Sequence, residues 1–185
     1  LLANTPKLRA PAFFAEAGLK PGEYFVMTLH RPANVDDADG FARLLRAVGE
    51  AVRGLPVVFP VHPRTANTLA ALPDVPKCLL RVDPQPYLEF NYLVRHARGV
   101  ITDSGGVTEE TTVMGVPCVT LRDTTERPET VSIGTNELIG TDPAALKPAL
   151  DRLFDGRWKK GAIPDKRDGR AGERIADELD RLLGV

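Results

Sequence analysis

The sequence predicts an α/β protein: a parallel sheet with helices on both faces. Short apolar runs alternate along the chain with segments whose apolar residues recur every three or four positions, the periods of strand and helix. The runs are continuously apolar, Tyr24-Phe25-Val26-Met27-Thr28 among them, which suits parallel strands covered on both sides. Gly99 to Leu121 condenses the pattern into one stretch, reading as strand (Gly99 to Thr102), glycine turn (Asp103 to Gly106), helix (Val107 to Met114) and second strand (Cys118 to Leu121).

Taken in order, Leu1 to Lys20 is a lead-in containing a brief helix, Ala10 to Ala17, opened by Pro11 and broken by Gly18. The strand at Tyr24–Thr28 follows. Phe41, Leu44, Leu45, Val48 and Val52 then form one helical face from Ala38 onward, stopped by Gly54 and Pro56. Val57 to Val61 is the next strand and Thr65 to Leu72 the next helix. Leu79 to Val82 is a third strand, and Tyr87, Phe90, Tyr92 and Leu93 mark the helix after it. Beyond Leu121, short elements are expected at Val131–Gly134 and Glu137–Gly140. A helix opened by Pro143 carries Leu146, Leu150 and Leu153, and a terminal helix over 171–184 carries Ile175, Leu179, Leu182 and Leu183 on one stripe.

The 185 residues fit one domain, 1–185, with a full core. With 24 basic against 25 acidic residues and no basic block, nothing points to nucleic acid or an anionic membrane. Cys78 and Cys118 stand apart in apolar surroundings, which predicts free thiols. No apolar run reaches membrane-spanning length and no signal peptide is evident, so a cytoplasmic location is expected. The chain begins without Met, which suggests a processed end or a piece of a longer protein.

The candidate chemistry lies where strands end. His30 and Arg31, with Asn34, follow the first strand, and His62 and Arg64 follow the second. Ser104, Gly105 and Gly106 have small or absent side chains, so backbone N–H groups can converge there on a phosphate. Glu110 can accept two sugar hydroxyls, with Glu109 beside it. Phe90 can line a flat base pocket, and Arg127, within Arg122–Thr130, can clamp a phosphate. Each has a plainer alternative: a tight turn, a helix cap, a core aromatic or a loop salt bridge. The dinucleotide and P-loop glycine fingerprints are absent, and no ligand set for a metal is present, so neither metal nor cofactor is expected.

Thr28 to Asn34 (TLHRPAN), Val58 to Thr65 (VFPVHPRT), Thr102 to Glu110 (TDSGGVTEE) and Arg122 to Glu129 (RDTTERPE) closely resemble the C-terminal half of the non-hydrolysing UDP-N-acetylglucosamine 2-epimerases. The resemblance covers nearly the whole chain. It implies a Rossmann-like domain like the C-terminal one of a GT-B fold, with UDP and a UDP-N-acetylhexosamine as ligands. Ser104, Gly105 and Gly106 would then receive the diphosphate, Glu110 the ribose hydroxyls, and the segment around Phe90 the uracil. His30 would lie by the phosphates or the reacting sugar, and Arg127 would support the leaving UDP.

The implied reaction is inversion at C2 through elimination and re-addition of UDP, with no cofactor, in a homodimer whose N-terminal halves supply most proton-transfer carboxylates. The family's usual Glu before the Asn of its His-Arg motif is missing, since Pro32 and Ala33 fill the two positions before Asn34. One wall of a cleft, with little or no turnover, is therefore expected of this chain alone. A hydrolysing 2-epimerase and an inactive nucleotide-sugar-binding module are the alternatives.

Overall fold

The computed structural model describes residues 1–184. Its centre is a six-stranded sheet made of β1 (Phe25–Thr28), β2 (Val57–Pro60), β3 (Leu79–Val82), β4 (Gly99–Thr102), β5 (Cys118–Thr120) and β6 (Asn136–Leu138). Every pairing is parallel and the order is β3-β2-β1-β4-β5-β6. Alternate residues of the apolar runs separate to opposite faces, as the two-residue period of a strand requires. Phe25, Met27, Phe59 and Ile101 join one buried cluster with Val48 and Leu150. Tyr24, Val26, Val58 and Val100 join the other with Leu93 and Val107.

The helices are α1 (Phe13–Glu16), α2 (Pro32–Val35), α3 (Ala38–Ala51), α4 (Pro63–Ala71), α5 (Tyr87–His96), α6 (Gly105–Met114), α7 (Pro128–Ser132), α8 (Leu146–Phe154) and α9 (Ala171–Leu183). The predicted face of α3 is buried, and Asp37 caps its N-terminus by accepting from the Asp39 and Gly40 amides. Several expectations shift. Helix α1 is shorter than Ala10–Ala17. Helix α2, unread in the sequence, forms because Pro32 occupies its first position, where a missing N–H costs nothing. Helix α6 begins at Gly105, so the two glycines are its first turn and not part of the preceding loop. Gly115, at φ 71°, ends it in the left-handed conformation and redirects the chain into β5.

Val131–Gly134 belongs partly to α7, and β6 starts at Asn136. Backbone packs closely here: a Cβ on Gly134 would sit 2.6 Å from Thr112 Cγ2 and from the Thr130 carbonyl oxygen, and one on Gly161 would sit 2.6 Å from Gly134 C. Gly134→Ala is therefore expected to cost about 1–3 kcal/mol through overpacking, or about 2–4 °C of Tm per kcal/mol in a thermal melt. An unchanged Tm would show that this junction yields. Cys78 and Cys118 are free, and burial pushes the Cys118 thiol up to about 12. Among the described residues no helix is long and apolar enough to cross a membrane.

Candidate functional site

Strand order determines where the candidate residues meet. From β1 the sheet grows through β2 and β3 to one side, and from β4 through β5 and β6 to the other. The segments after β1 and β4 therefore diverge and open a crevice at the carboxyl edge, the usual ligand position in such sheets. Because Thr28 is in register with Thr102, His30 and Arg31 arrive beside Asp103 and the glycine turn. His62 comes from the end of β2, its ring centroid 6.1 Å from that of His30.

Asp103 is the hub of this edge, and it is fully buried. Its Oδ2 accepts from the backbone N–H of His30 (3.1 Å), that of Arg31 (2.9 Å) and Asn34 Nδ2 (3.1 Å). Its Oδ1 lies 2.9 Å from His30 Nδ1. Arg31 Nε donates to the Asp103 carbonyl oxygen, and Asn34 Nδ2 also reaches the Leu121 carbonyl. The sequence reading had placed Asp103 only as a turn residue. Four donors drawn from a segment some seventy residues away give it a different standing.

The first turn of α6 faces the same crevice. Ser104 is its N-cap but makes no side-chain capping bond, so the helix's leading amides and the positive end of its dipole are left for a ligand. A cleft of about 890 Å³ runs from there past Gly106, Glu109, Glu110 and Tyr87 to Glu129 and Arg167, within the size range of small-molecule sites. Partial burial pushes the Glu110 carboxyl above its ordinary range, opposed by hydrogen bonds from Asn91 and Tyr87. Asn91 Nδ2 stands 3.5 Å from Glu110 Oε1.

The Arg122–Thr130 segment brings a second set of charges. Arg122, buried, grips Glu126 through both guanidinium nitrogens at 2.8 and 2.7 Å, which holds the Glu126 carboxyl down at about 2. Arg31 Nη2 is 3.8 Å from the same carboxylate. Arg127 Nε donates to Glu109 at 2.5 Å, and Arg167 bridges Glu109 and Glu129. Arg127 therefore makes the loop salt bridge named above as its plainer alternative.

His30, Arg31, His62, Ser104, Gly105 and Gly106 thus share the carboxyl edge of the sheet, and Gly106 and Glu110 line the cleft beside it. Phe90 packs against the core, whereas Tyr87, one helical turn earlier, lines the cleft. Arg64 lies in α4, and its side chain is outside the described set. Among the described residues no three His, Cys, Asp or Glu side chains cluster as metal ligands would.

The arrangement supplies amides and cations for phosphate oxygens and a carboxylate for hydroxyls. Against known proteins, the profile of the UDP-N-acetylglucosamine 2-epimerases matches residues 3–180. The chain belongs to this family. It is 36% identical over 162 residues to the UDP-N-acetylglucosamine 2-epimerase of Methanocaldococcus jannaschii, covering 83% of this chain and 43% of that protein. It is 38% identical over 183 residues to the UDP-2,3-diacetamido-2,3-dideoxy-D-glucuronate 2-epimerase of Pseudomonas aeruginosa, covering 92% and 49%. The crystal structure of the M. jannaschii enzyme in complex with UDP-N-acetylglucosamine and UDP superposes with a TM-score of 0.70 at 36% identity, over 85% of this chain and 45% of that one. A Listeria monocytogenes structure described as a 2-epimerase superposes at 0.76 with 28% identity, over 96% and 49%. The chain spans about half the length of these relatives.

Proposed function

We propose that this chain is the UDP-binding half of a non-hydrolysing 2-epimerase that interconverts UDP-N-acetylglucosamine and UDP-N-acetylmannosamine. The observation that carries the reading is the uncapped N-terminus of α6 opening between the His30–Arg31 pair and Glu110, in a chain of this family. The amides of Gly105 and Gly106 take the diphosphate, with Ser104, whose own amide donates to Thr102 Oγ1, beside them, and Glu110 takes the ribose hydroxyls. The start of α5, from Tyr87 to Phe90, meets the uracil. Arg31, His62 and Arg64 add positive charge around the phosphates.

Chemistry follows from that placement. A base removes the C2 proton of the sugar as the C1–O bond breaks, leaving a glycal and UDP. The glycal is then protonated on its other face and UDP adds back to C1. Negative charge collects on the departing diphosphate, where preorganised amides, His30 and Arg127 stabilise it. Arg127 must exchange its Glu109 partner for the ligand to do so. The opposing acid and base come from the N-terminal half of the enzyme, which we infer to be a cytoplasmic homodimer.

Calorimetry on this chain tests the reading. UDP is expected to bind weakly and saturably, UMP more weakly and uridine not measurably. Gly106→Ala is the companion variant: its new Cβ meets nothing closer than Ser104 Oγ at 4.0 Å, so the fold accommodates it. The methyl stands where phosphate must approach the amides, and UDP affinity is expected to fall about tenfold, equivalent to about 1.4 kcal/mol. Uridine binding as well as UDP, or a folded chain that ignores UDP, overturns the assignment.

A further inference from the structure

We propose that Arg167 is a positioning residue: it keeps Glu109 paired and so lets Arg127 pass from Glu109 to a diphosphate. The inference rests on the reading of Arg127 as a group that clamps the diphosphate of a nucleotide. Two guanidinium groups share one carboxylate oxygen. Glu109 Oε1 accepts from Arg127 Nε at 2.5 Å and from Arg167 Nη1 at 2.6 Å. Arg167 also donates through Nη2 to Glu129, whereas the other side-chain bond of Arg127 goes to a neutral acceptor, the Glu126 carbonyl oxygen, at 3.1 Å. Two carboxylates therefore hold Arg167 and one holds Arg127. Exposure follows the same order, 20% for the Arg167 side chain and 45% for that of Arg127. Arg167 is the seated cation of the cluster, and Arg127 is the one that can leave.

The four charges come from three segments. Glu109 stands in the second turn of α6, Arg127 and Glu129 flank Pro128 at the start of α7, and Arg167 lies on the connection from α8 to α9. Glu109, Glu129 and Arg167 line the cleft that runs past Gly106 and Glu110. The other arginines nearby have partners of their own: Arg122 holds Glu126, Arg170 holds Glu173 and Arg174 holds Asp168. None of these stands ready to replace Arg167 on Glu109.

Electrostatics gives the sharing a direction. An arginine that moves to a diphosphate leaves its carboxylate behind, close to an incoming anion of the same sign. Without Arg167, that departure would strand Glu109 beside the phosphates. Glu129 would add to the hold on Arg127, since a backbone hydrogen bond, then Arg167 and last Arg127 keep its carboxyl low, and Arg127 is thus within electrostatic reach of it. With Arg167 in place both carboxylates stay paired. Two cations on one oxygen also repel each other, which loosens the more exposed of the two.

Calorimetric titration of UDP into this chain, arranged as a double-mutant cycle over Arg127 and Arg167, tests the proposal. Arg167→Met is expected to weaken UDP about fivefold, the scale of one partly exposed ion pair. In an Arg127→Met background the same substitution is expected to change UDP affinity less than about twofold, because the group through which Arg167 acts is gone. Arg167→Lys keeps a cation on Glu109 and is expected to recover most of the loss. A purely structural role, or direct attraction between Arg167 and the nucleotide, would weaken UDP by the same factor with or without Arg127, and that result overturns the proposal. An Arg167→Met chain that is folded by circular dichroism and binds UDP as the natural chain does overturns it too. UDP bound equally by the natural chain and by Arg127→Met removes Arg127 from the diphosphate and overturns this inference alone. Failure of the folded natural chain to bind UDP overturns the UDP reading and the inference together.

Discussion

Asp103→Ala is expected to destabilise the chain by about 3–5 kcal/mol, the range for removing one partner from a buried charged network. The carboxylate is the acceptor for the part-buried His30 and Arg31 amides and for the buried Asn34 Nδ2. Each orphaned donor carries a desolvation penalty of about 1–3 kcal/mol, partly relieved where Asn34 keeps the Leu121 carbonyl. The loss also frees the segment after β1 from that after β4, so the two sides of the crevice would no longer be held in place. Asp103→Asn retains the oxygen that serves the three donors and is expected to cost less than half as much. Urea titration of the two variants beside the natural chain measures the difference. A cost under about 1 kcal/mol for the alanine variant would mean that solvent serves these donors and that the crevice is not preorganised by Asp103.

That network also shows where sequence reading stops. His30 and Arg31 were legible because a basic pair directly after an apolar run falls at a strand's carboxyl end, and the glycine turn because a strand and a helix flank it. Asp103 was not legible, because its partners lie some seventy residues earlier and meet it only through the pairing of β1 with β4. Periodicity identifies strands one at a time and says nothing about which of them are neighbours. Asn34 was noticed in the His-Arg stretch, but its buried bonds to Asp103 and Leu121 depend on the same adjacency and on the short helix opened by Pro32.

Helices α3 and α9 give the same lesson in another form. Both carry an apolar stripe at helical spacing, and the sequence places the start of each at its observed residue. The stripe of α3 is buried against the sheet and α8. In α9, Ile175, Leu179, Leu182 and Leu183 are 50–72% exposed. Spacing reports that one face is apolar; what covers it depends on the rest of the fold. The aromatic that borders the cleft is decided in the same way. Phe90 and Tyr87 lie one turn apart on α5, and only the packing of that helix decides that Phe90 joins the core while Tyr87 borders Glu110.

Glu110→Gln is expected to separate binding from stability. If Glu110 accepts the ribose hydroxyls, replacing the carboxylate by an amide removes hydrogen bonds to a charged group, worth about 1.5–3 kcal/mol, and UDP affinity should fall about 10- to 100-fold. Stability should move the other way at neutral pH. Burial is the main cause that raises the Glu110 carboxyl, so its charged form is the one the fold disfavours. A raised carboxyl contributes stability that is fully present below the unfolded-state value, roughly 4.3, and is lost as pH climbs through the folded-state value. Gln carries no such loss, and Tyr87 and Asn91 can still donate to its amide oxygen. The variant should therefore match the natural chain in acid and exceed it at pH 7. The carboxyls held low, Glu126 by Arg122 and Glu129 by a backbone hydrogen bond and then Arg167, weaken both proteins alike as pH falls and cancel in the difference. Denaturation curves at about pH 4 and pH 7, read against UDP titration of the same two proteins, test both halves. Equal UDP affinity would remove Glu110 from the ribose, and a variant less stable at pH 7 would show that the carboxylate's hydrogen bonds outweigh its desolvation.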